Sequence, residues 1–167
     1  MRLGIIAAAA LLLSGCGPLP TFKPPAPVSM EPFSKFDEAA LQAGMKKGHA
    51  IVKGQAFSKT VGGDIKYGAG NEVRLYPDTP YVSECIIITK GGVTSGCFDK
   101  IRPYARTVSA DGEGRFEFDD VAPGKYVATS LILWGVPGPY GVETTGGIVE
   151  GHLTVSSDTD VINVNVD

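Results

Sequence analysis

The stretch with the most side chains capable of chemistry is SADGEGRFEFDDVAPGKY, residues 109–126, which places several carboxylates between glycines. Carboxylate oxygens at alternate positions of a loop are typical calcium ligands. Asp111 and Glu113 could fill two such positions, but the third holds Arg115, a cation that repels a metal ion. The spacing therefore disfavours a calcium loop and leaves the acidic pair at 119–120 as a weaker cation site.

The same stretch fits a β-hairpin better. Residues 111–114 can supply the turn, and residues 123–124, Pro-Gly, can make the next corner. Phe116 and Phe118 then face a core, while the charged residues between and beside them face solvent. We therefore interpret the acidic side chains as a solvated face.

The two histidines offer little chemistry. His49 and His152 fall in separate predicted strands, and His152 alternates with inward-facing Leu153, so it should point to solvent. No G-x-S-x-G turn or Ser-His-Asp order is present in the sequence. We expect no catalytic residue, no metal and no other cofactor.

Two cysteines could form a cross-link. Cys85 and Cys97 flank the glycine-containing segment 90–96, predicted as a turn. In an oxidising compartment such a pair is usually bridged, and a loop of this size stabilises the fold by about 3 kcal/mol. A zinc site would need a third ligand nearby, and no His or Cys lies close in the sequence. We predict a disulfide.

The candidate binding surface lies in LWGVPGPYGVETTGG, residues 133–147, which we predict to be a long loop between two strands. Long loops on a rigid scaffold often bind ligands, and aromatic rings offer contact area at low entropic cost. Trp134, the single Trp of the chain, and Tyr140 are the candidates, although Trp134 could equally be a core residue. A second, weaker candidate surface adjoins another predicted turn: Arg74, Tyr76 and Tyr81.

Most of the chain that would position these residues reads as strands. One helix is predicted over 34–47, with Ser34 as its cap and Gly48 as its stop. In VINVNV, Ile162, Val164 and Val166 should share one face. Short β-branched or aromatic segments bounded by Gly, Pro, Asp or Asn predict strands at 50–57, 72–76, 85–89, 104–109, 115–119, 125–134, 147–155 and 161–166. About seven strands at this spacing favour an all-β sandwich.

The N-terminus predicts a secreted protein. MRLGIIAAAALLLSGCG has one Arg and then an apolar run from Leu3 to Leu13, too short to span a bilayer core of about 30 Å but typical of a signal peptide. The sequence from Leu13 to Cys16, LSGC, resembles the bacterial lipobox, which implies cleavage before Cys16 and a diacylglyceryl group on its thiol. We expect a signal peptide at 1–15 and lipidation of Cys16; an ordinary signal peptide is the alternative.

The segment after the lipobox predicts a tether. Residues 16–33 are rich in proline, which favours an extended, semi-rigid chain reaching roughly 50 Å. By the sorting rule of such lipoproteins, Gly17 in place of Asp favours the periplasmic face of the outer membrane. The net charge of -3 offers no basic surface for phosphates, so we expect no nucleic-acid partner.

Several segments together resemble the carboxypeptidase regulatory-like, or transthyretin-like, domain: GQAF from Gly54, NEVRLY from Asn71, the stretch from Thr107 to Ala128, and the closing strand at 161–166. The most specific match is T-x-x-x-D-G-x-G-x-F-x-F-x-x-V-x-P-G-x-Y, from Thr107 onward. The resemblance covers residues 48–167 and implies a Greek-key β-sandwich of about seven strands. Domains of this kind mostly serve as accessory, binding or structural modules.

This chain lacks the catalytic residues of the enzymes that have related folds. Hydroxyisourate hydrolases end in Tyr-Arg-Gly-Ser, whereas this chain ends Val-Asn-Val-Asp167. Intradiol dioxygenases use two Tyr and two closely spaced His, which His49 and His152 are not. We therefore expect a membrane-anchored, non-enzymatic accessory module of the cell envelope that binds an envelope protein. The alternative is a glycan-binding module using Trp134 and Tyr140, and a metal-dependent hydrolase is the least favoured function.

Overall fold

The computed structural model describes residues 30–93, 95–156 and 161–167, which form two facing β-sheets with short helices on one outer face. The predicted signal peptide, Cys16 and residues 17–29 lie outside the described residues, so lipidation stays a prediction. The elements in chain order are α1 (Glu38–Gly44), β1 (Lys47–Lys59), β2 (Ile65–Tyr67), β3 (Glu72–Pro77), α2 (Pro80–Lys90), α3 (Cys97–Ile101), β4 (Arg106–Ser109), β5 (Arg115–Val121), β6 (Gly124–Gly138), β7 (Gly141–Val155) and β8 (Val161–Val166).

The first sheet is built around β1. It pairs antiparallel with β5 and β2, and parallel with β8 from Ile51↔Val161 to Ala56↔Val166. The predicted sharing of a face by Ile162, Val164 and Val166 lies outside the described side chains. The second sheet is antiparallel, in the order β4-β3-β6-β7. The predicted all-β sandwich is confirmed, and β2 is a short strand that the sequence pattern did not reveal.

The main core fills the space between the sheets. Strand alternation places Val52, Val73, Leu75, Phe116 and Phe118 in it, each at most 6 % exposed. The predicted inward orientation of the two phenylalanines is confirmed. Burial of such side chains contributes about 1.5–3 kcal/mol each, which makes this layer the principal source of stability.

The predicted hairpin at 109–126 is wrong in its pairing, because β4 lies beside β3 in one sheet and β5 beside β1 in the other. Residues 111–114 form the crossing turn. Asp111 Oδ1 accepts backbone hydrogen bonds from Arg115 and Glu113, both at 2.8 Å, and these bonds hold the pKa of Asp111 below its usual range. Gly114 has φ +78° and no space for a Cβ beside the Ala56 carbonyl. The acidic side chain thus shapes the turn.

The helices bury a second core against the outer face of the second sheet. Its members include Leu41 of α1, Tyr76 of β3, and Val82 and Ile86 of α2, none of which is measurably exposed. Within the described residues, no helix has the length and apolarity needed to cross a bilayer. Because the main core lies on its inner face and the helices pack on its outer face, the second sheet is covered on both faces over much of its area.

The helix prediction was right in kind and wrong in extent. α1 spans Glu38–Gly44 rather than 34–47, and its cap is Asp37, whose Oδ1 accepts the Ala40 N–H at 3.0 Å. Ser34 instead bonds to Glu84. Gly44 ends the helix against Pro77, where a Cβ would lie 2.5 Å from the proline ring.

The predicted strand at 85–89 is wrong, because CIIIT forms the end of α2. Thr79 caps this helix and Pro80 occupies its first turn, both strong helix-start signals. The buried side chains Val82, Cys85 and Ile86 follow helical spacing and pack on the sheet. Tertiary burial therefore outweighs the β propensity of three consecutive isoleucines.

The Cys85–Cys97 disulfide is confirmed, with an S–S distance of 2.01 Å. It joins α2 to the first residue of α3 and is fully buried, so it fastens two helices instead of bridging the predicted hairpin turn.

The predicted long loop at 133–147 is also wrong. β6 and β7 pair without interruption from Gly124↔Val155 to Gly138↔Gly141, leaving a two-residue turn at 139–140. β3 pairs with β6 only as far as Ser130. Residues 131–148 therefore form a two-stranded extension of the second sheet, which we call the arm.

Candidate functional site

A cleft of about 640 Å³ opens on the outer face of the second sheet, beside the helices and at the root of the arm. We call it the helix-side cleft. Its floor comes from three strands: Glu72, Arg74, Thr129, Leu131, Gly146 and Ile148. Its wall comes from the end of α2, the segment after it, and α3: Thr89, Lys90, Gly92 and Phe98.

Strand alternation puts the floor residues in place. Val73 and Leu75 point into the sandwich core, so Arg74 between them points outward. Leu131 lies between inward-facing Ser130 and Ile132 in the same way, and 52 % of its side chain stays exposed.

Gly146 lets β7 lie close to β6 at the edge of the cleft floor. Its φ is +114°, and a Cβ there would lie 2.1 Å from the Ile132 carbonyl oxygen and 2.9 Å from the Trp134 ring. Only glycine fits this conformation and this contact.

The charged side chains of the cleft are paired. Arg74 forms an ion pair with Glu72, and their side chains are 36 % and 56 % exposed. Lys90 Nζ lies 2.9 Å from Glu150 Oε1. Since each cation has a carboxylate partner, the cleft offers hydrogen-bond donors and acceptors without a strong net charge.

An apolar patch lies next to these polar groups. Phe98 is half-buried, and its ring packs edge-on against Tyr76 at 6.4 Å between centroids. Leu131 and Ile148 continue the patch across the floor. The cleft can therefore hold a neutral ligand that has both an apolar face and hydroxyl groups.

The second predicted surface is wrong for both tyrosines. Tyr76 and Tyr81 are 0 % and 4 % exposed, because the helices cover the face of the sheet to which Tyr76 points and Tyr81 packs within the helical layer. Burial raises the pKa of Tyr76, although the nearby Arg74 opposes the shift. The Tyr76 hydroxyl does not meet Arg74 in hydrogen-bond geometry, and neither tyrosine hydroxyl has a hydrogen-bond partner among the described residues. Of this predicted group, only Arg74 reaches the cleft.

The structure does not bring Trp134 and Tyr140 into one site. Trp134 faces the sandwich side of the arm, where it is half-buried against the core. Tyr140 is fully exposed in the turn at the tip. Four residue pairs lie between them, which makes the separation about 16 Å along the arm.

A second cavity, of about 760 Å³, lies at the first sheet. Its charged side chains include Lys53 and Glu117, which pair at 3.0 Å, and Arg115, which pairs with Glu113. Phe116 borders it but is only 6 % exposed. Because this cavity lacks an exposed apolar patch, the helix-side cleft is the better candidate for an organic ligand.

His152 pairs with a carboxylate on the outer face of the second sheet. His152 faces outward as predicted, and its Nδ1 lies 3.0 Å from Asp78 Oδ2. The Ser83 hydroxyl donates to the other oxygen of Asp78 at 2.7 Å, so the carboxylate separates it from the imidazole, unlike the order of a catalytic triad. Across the described ranges, no three potential metal ligands cluster.

No protein-family model matches the chain, and no curated protein sequence matches it either. Among solved structures, the chain is similar to a Pseudomonas aeruginosa protein described provisionally as carbohydrate binding. The two share 24 % sequence identity and a TM-score of 0.62, over 79 % of this chain and 98 % of that chain. At this identity the likeness establishes a common fold.

Sequence reasoning missed most of the cleft. The strand predicted at 85–89 conceals that Lys90 ends a helix, although Thr79-Pro80 is a helix-start signal, and nothing in the sequence indicates that Phe98 of α3 faces this cleft. Thr129 and Ile148 lie in predicted strands, but nothing in the sequence indicates that helices stop short of them.

Proposed function

We propose that the protein is a non-enzymatic carbohydrate-binding module that holds a neutral sugar in the helix-side cleft. The observation that carries the proposal is the junction of the Arg74–Glu72 pair with the apolar patch of Phe98, Leu131 and Ile148.

This junction matches the chemistry of a sugar ring. One face of a pyranose exposes C–H groups, which pack on apolar side chains, while its rim carries hydroxyls that both donate and accept hydrogen bonds. Arg74 supplies several donors in a fixed plane, and Glu72 supplies acceptors. Bonds to charged groups contribute about 1.5–3 kcal/mol each, enough to fix the orientation of a weakly held ring.

The P. aeruginosa structure supports the proposal, since a protein of the same fold is described provisionally as carbohydrate binding. The motif that begins at Thr107 supports membership in the transthyretin-like family. The protein partner expected from the sequence stays a prediction.

The cellular setting is part of the proposal. The lipobox resemblance at Cys16 and the proline-rich segment 16–33 support display of the domain on a lipid-anchored tether at the periplasmic face of the outer membrane. Cys16→Ser would then block lipid attachment, and unchanged membrane association of this variant would count against the anchor.

Binding to a panel of soluble neutral oligosaccharides, measured by calorimetry, tests the function. Arg74→Met keeps the aliphatic stem and removes the donors, so we expect about tenfold weaker binding. Arg115→Met, in the cavity of the first sheet, is the matched control and should bind normally. Binding of no sugar across the panel would overturn the function, whereas loss in Arg115→Met alone would move the site to the other cavity.

A further inference from the structure

Beyond Leu131, which lines the cleft, the arm carries an apolar surface that the cleft does not use. Its backbone leaves the sandwich where β3 stops pairing, and Asn71 Nδ2 closes this junction by donating to the Leu131 carbonyl at 2.8 Å. From there the arm continues as a ribbon of two strands, which end in the turn at 139–140.

Apolar side chains collect on the outer face of this ribbon and at its tip. Leu131 and Leu133 are 52 % and 53 % exposed, Val142 is 81 % exposed, and Tyr140 is fully exposed. Residues 131–142, LILWGVPGPYGV, contain no charge. The first charged residue, Glu143, pairs with Val136 and therefore lies on the opposite face.

The size of this surface argues against a stable protein interface. A standard interface uses about 20–30 residues on each partner, and the arm offers three apolar side chains beyond the cleft. A second copy or an envelope protein would gain little from so small a contact. A lipid surface needs less, because a few apolar side chains would add to the lipid anchor proposed above, on which this inference rests.

The entry point of the chain agrees with a lipid surface. Lys100 Nζ of α3 lies 3.1 Å from Glu31, and Ser34 bonds to Glu84 of α2, so the start of the described chain lies on the helical layer. That layer covers the outer face of the second sheet, the face on which Leu131 and Leu133 lie. A tether arriving from Cys16 and the apolar face of the arm therefore belong to the same side.

We propose that the apolar face of the arm beyond the cleft, formed by Leu133, Tyr140 and Val142, docks on the surface of a phospholipid bilayer. Tyr140 suits the headgroup level, where its ring is buried and its hydroxyl stays hydrated. Penetration is shallow, because among the described residues no strand lies beside the outer edge of β6 beyond Ser130, and its backbone groups need water. Since Leu131 lines the cleft and is not part of the docking face, docking and sugar binding do not use the same side chain.

Trp134, the single Trp of the chain, lies on the sandwich side of the arm, so the reporter indole is moved to the docking face by combining Trp134→Phe with Tyr140→Trp. The test uses the mature protein with these two changes in phosphatidylcholine vesicles whose acyl chains carry bromine close to the headgroups, where it quenches a nearby indole. We expect emission to fall at least twofold relative to unlabelled vesicles. Sugar binding plays no part in this readout, and the quenching requires the arm itself to approach the acyl chains.

Two variants complete the test. Leu133→Asn with Val142→Thr should abolish the quenching while leaving the melting temperature unchanged, because both side chains are exposed. Val61→Asn changes an equally exposed residue near the first sheet and should keep the quenching. Absence of quenching in the reporter protein, or equal quenching after Leu133→Asn and Val142→Thr are added to it, would overturn the proposal. Protection of the reporter indole from aqueous iodide that rises with protein concentration, without lipid, would indicate a second copy instead and would also overturn it.

Discussion

The Ser34 hydroxyl donates a 2.6 Å hydrogen bond to Glu84 Oε1, and the Ser34 N–H donates a 2.9 Å bond to Oε2. Both bonds favour the ionised carboxylate, the side-chain bond more strongly, and together they hold the pKa of Glu84 below its usual range. This contact fastens the start of the described chain to α2.

Acid should release this contact. Since the pKa of Glu84 is lower in the folded than in the unfolded protein, its stabilisation is complete above the unfolded value of about 4.3 and is lost as pH falls through the folded value. We expect the hydrogen-exchange protection factor of the Ser34 amide to drop across that acidic range. Glu84→Gln should lower it already at neutral pH. A protection factor that stays constant from neutral to strongly acidic pH would show that the carboxylate does not hold this segment.

The sequence predicts the sandwich strands well because their alternation is local. Phe116 and Phe118 alternate with charged neighbours, so their inward orientation follows from the period of a strand. The sequence pattern does not predict the helix α2, because three isoleucines in a row favour a strand on propensity alone. The burial of α2 depends on Tyr76 and Leu41, which lie in distant parts of the chain.

The cleft could not be predicted for a related reason. Its residues lie between β3 and β7 in the chain. Strand alternation predicts that Arg74 and Leu131 point outward, but it does not predict how much of the outer face the helices cover. The same boundary decides that Tyr76 is buried while Arg74, two residues earlier on the same face, is accessible.

Gly146→Ala should distort the cleft floor and the arm together. The added Cβ would meet the Ile132 carbonyl oxygen at 2.1 Å in a backbone of φ +114°, so we expect a loss of about 2 kcal/mol or more in unfolding free energy. Gly147→Ala is the matched control, because a Cβ there meets nothing within 4 Å. Denaturant unfolding measures both, and equal stability of the two variants would contradict the assigned role of Gly146.

Reduction of the disulfide should loosen the cleft wall. The bond between Cys85 and Cys97 joins the helices that bear Thr89 and Phe98, and its loss should cost about 3 kcal/mol in the chain-entropy model. We expect the double variant Cys85→Ala/Cys97→Ala to bind sugar more weakly. Amides of β1 and β5 that exchange with solvent through local opening, without global unfolding, should keep nearly the same protection factors. Unaltered thermal stability in the double variant or under reducing conditions would argue against this contribution.

Two buried tyrosines should respond oppositely to loss of their hydroxyls. The Tyr126 hydroxyl lies 2.9 Å from the Ala122 carbonyl oxygen and 3.1 Å from the Gly44 carbonyl oxygen, and its single proton is shared between these two acceptors. Tyr126→Phe should therefore lower the unfolding free energy by about 1–2 kcal/mol. The Tyr76 hydroxyl has no partner among the described residues, so Tyr76→Phe removes an unpaired polar group and should leave stability unchanged or raise it. Because Phe98 packs on the ring of Tyr76 and not on its hydroxyl group, sugar binding should persist in this variant. Denaturant unfolding and calorimetry measure the two effects. A marked destabilisation of Tyr76→Phe would instead reveal a hydrogen bond to Arg74 or to water, and with it a polar link from the helical core to the cleft.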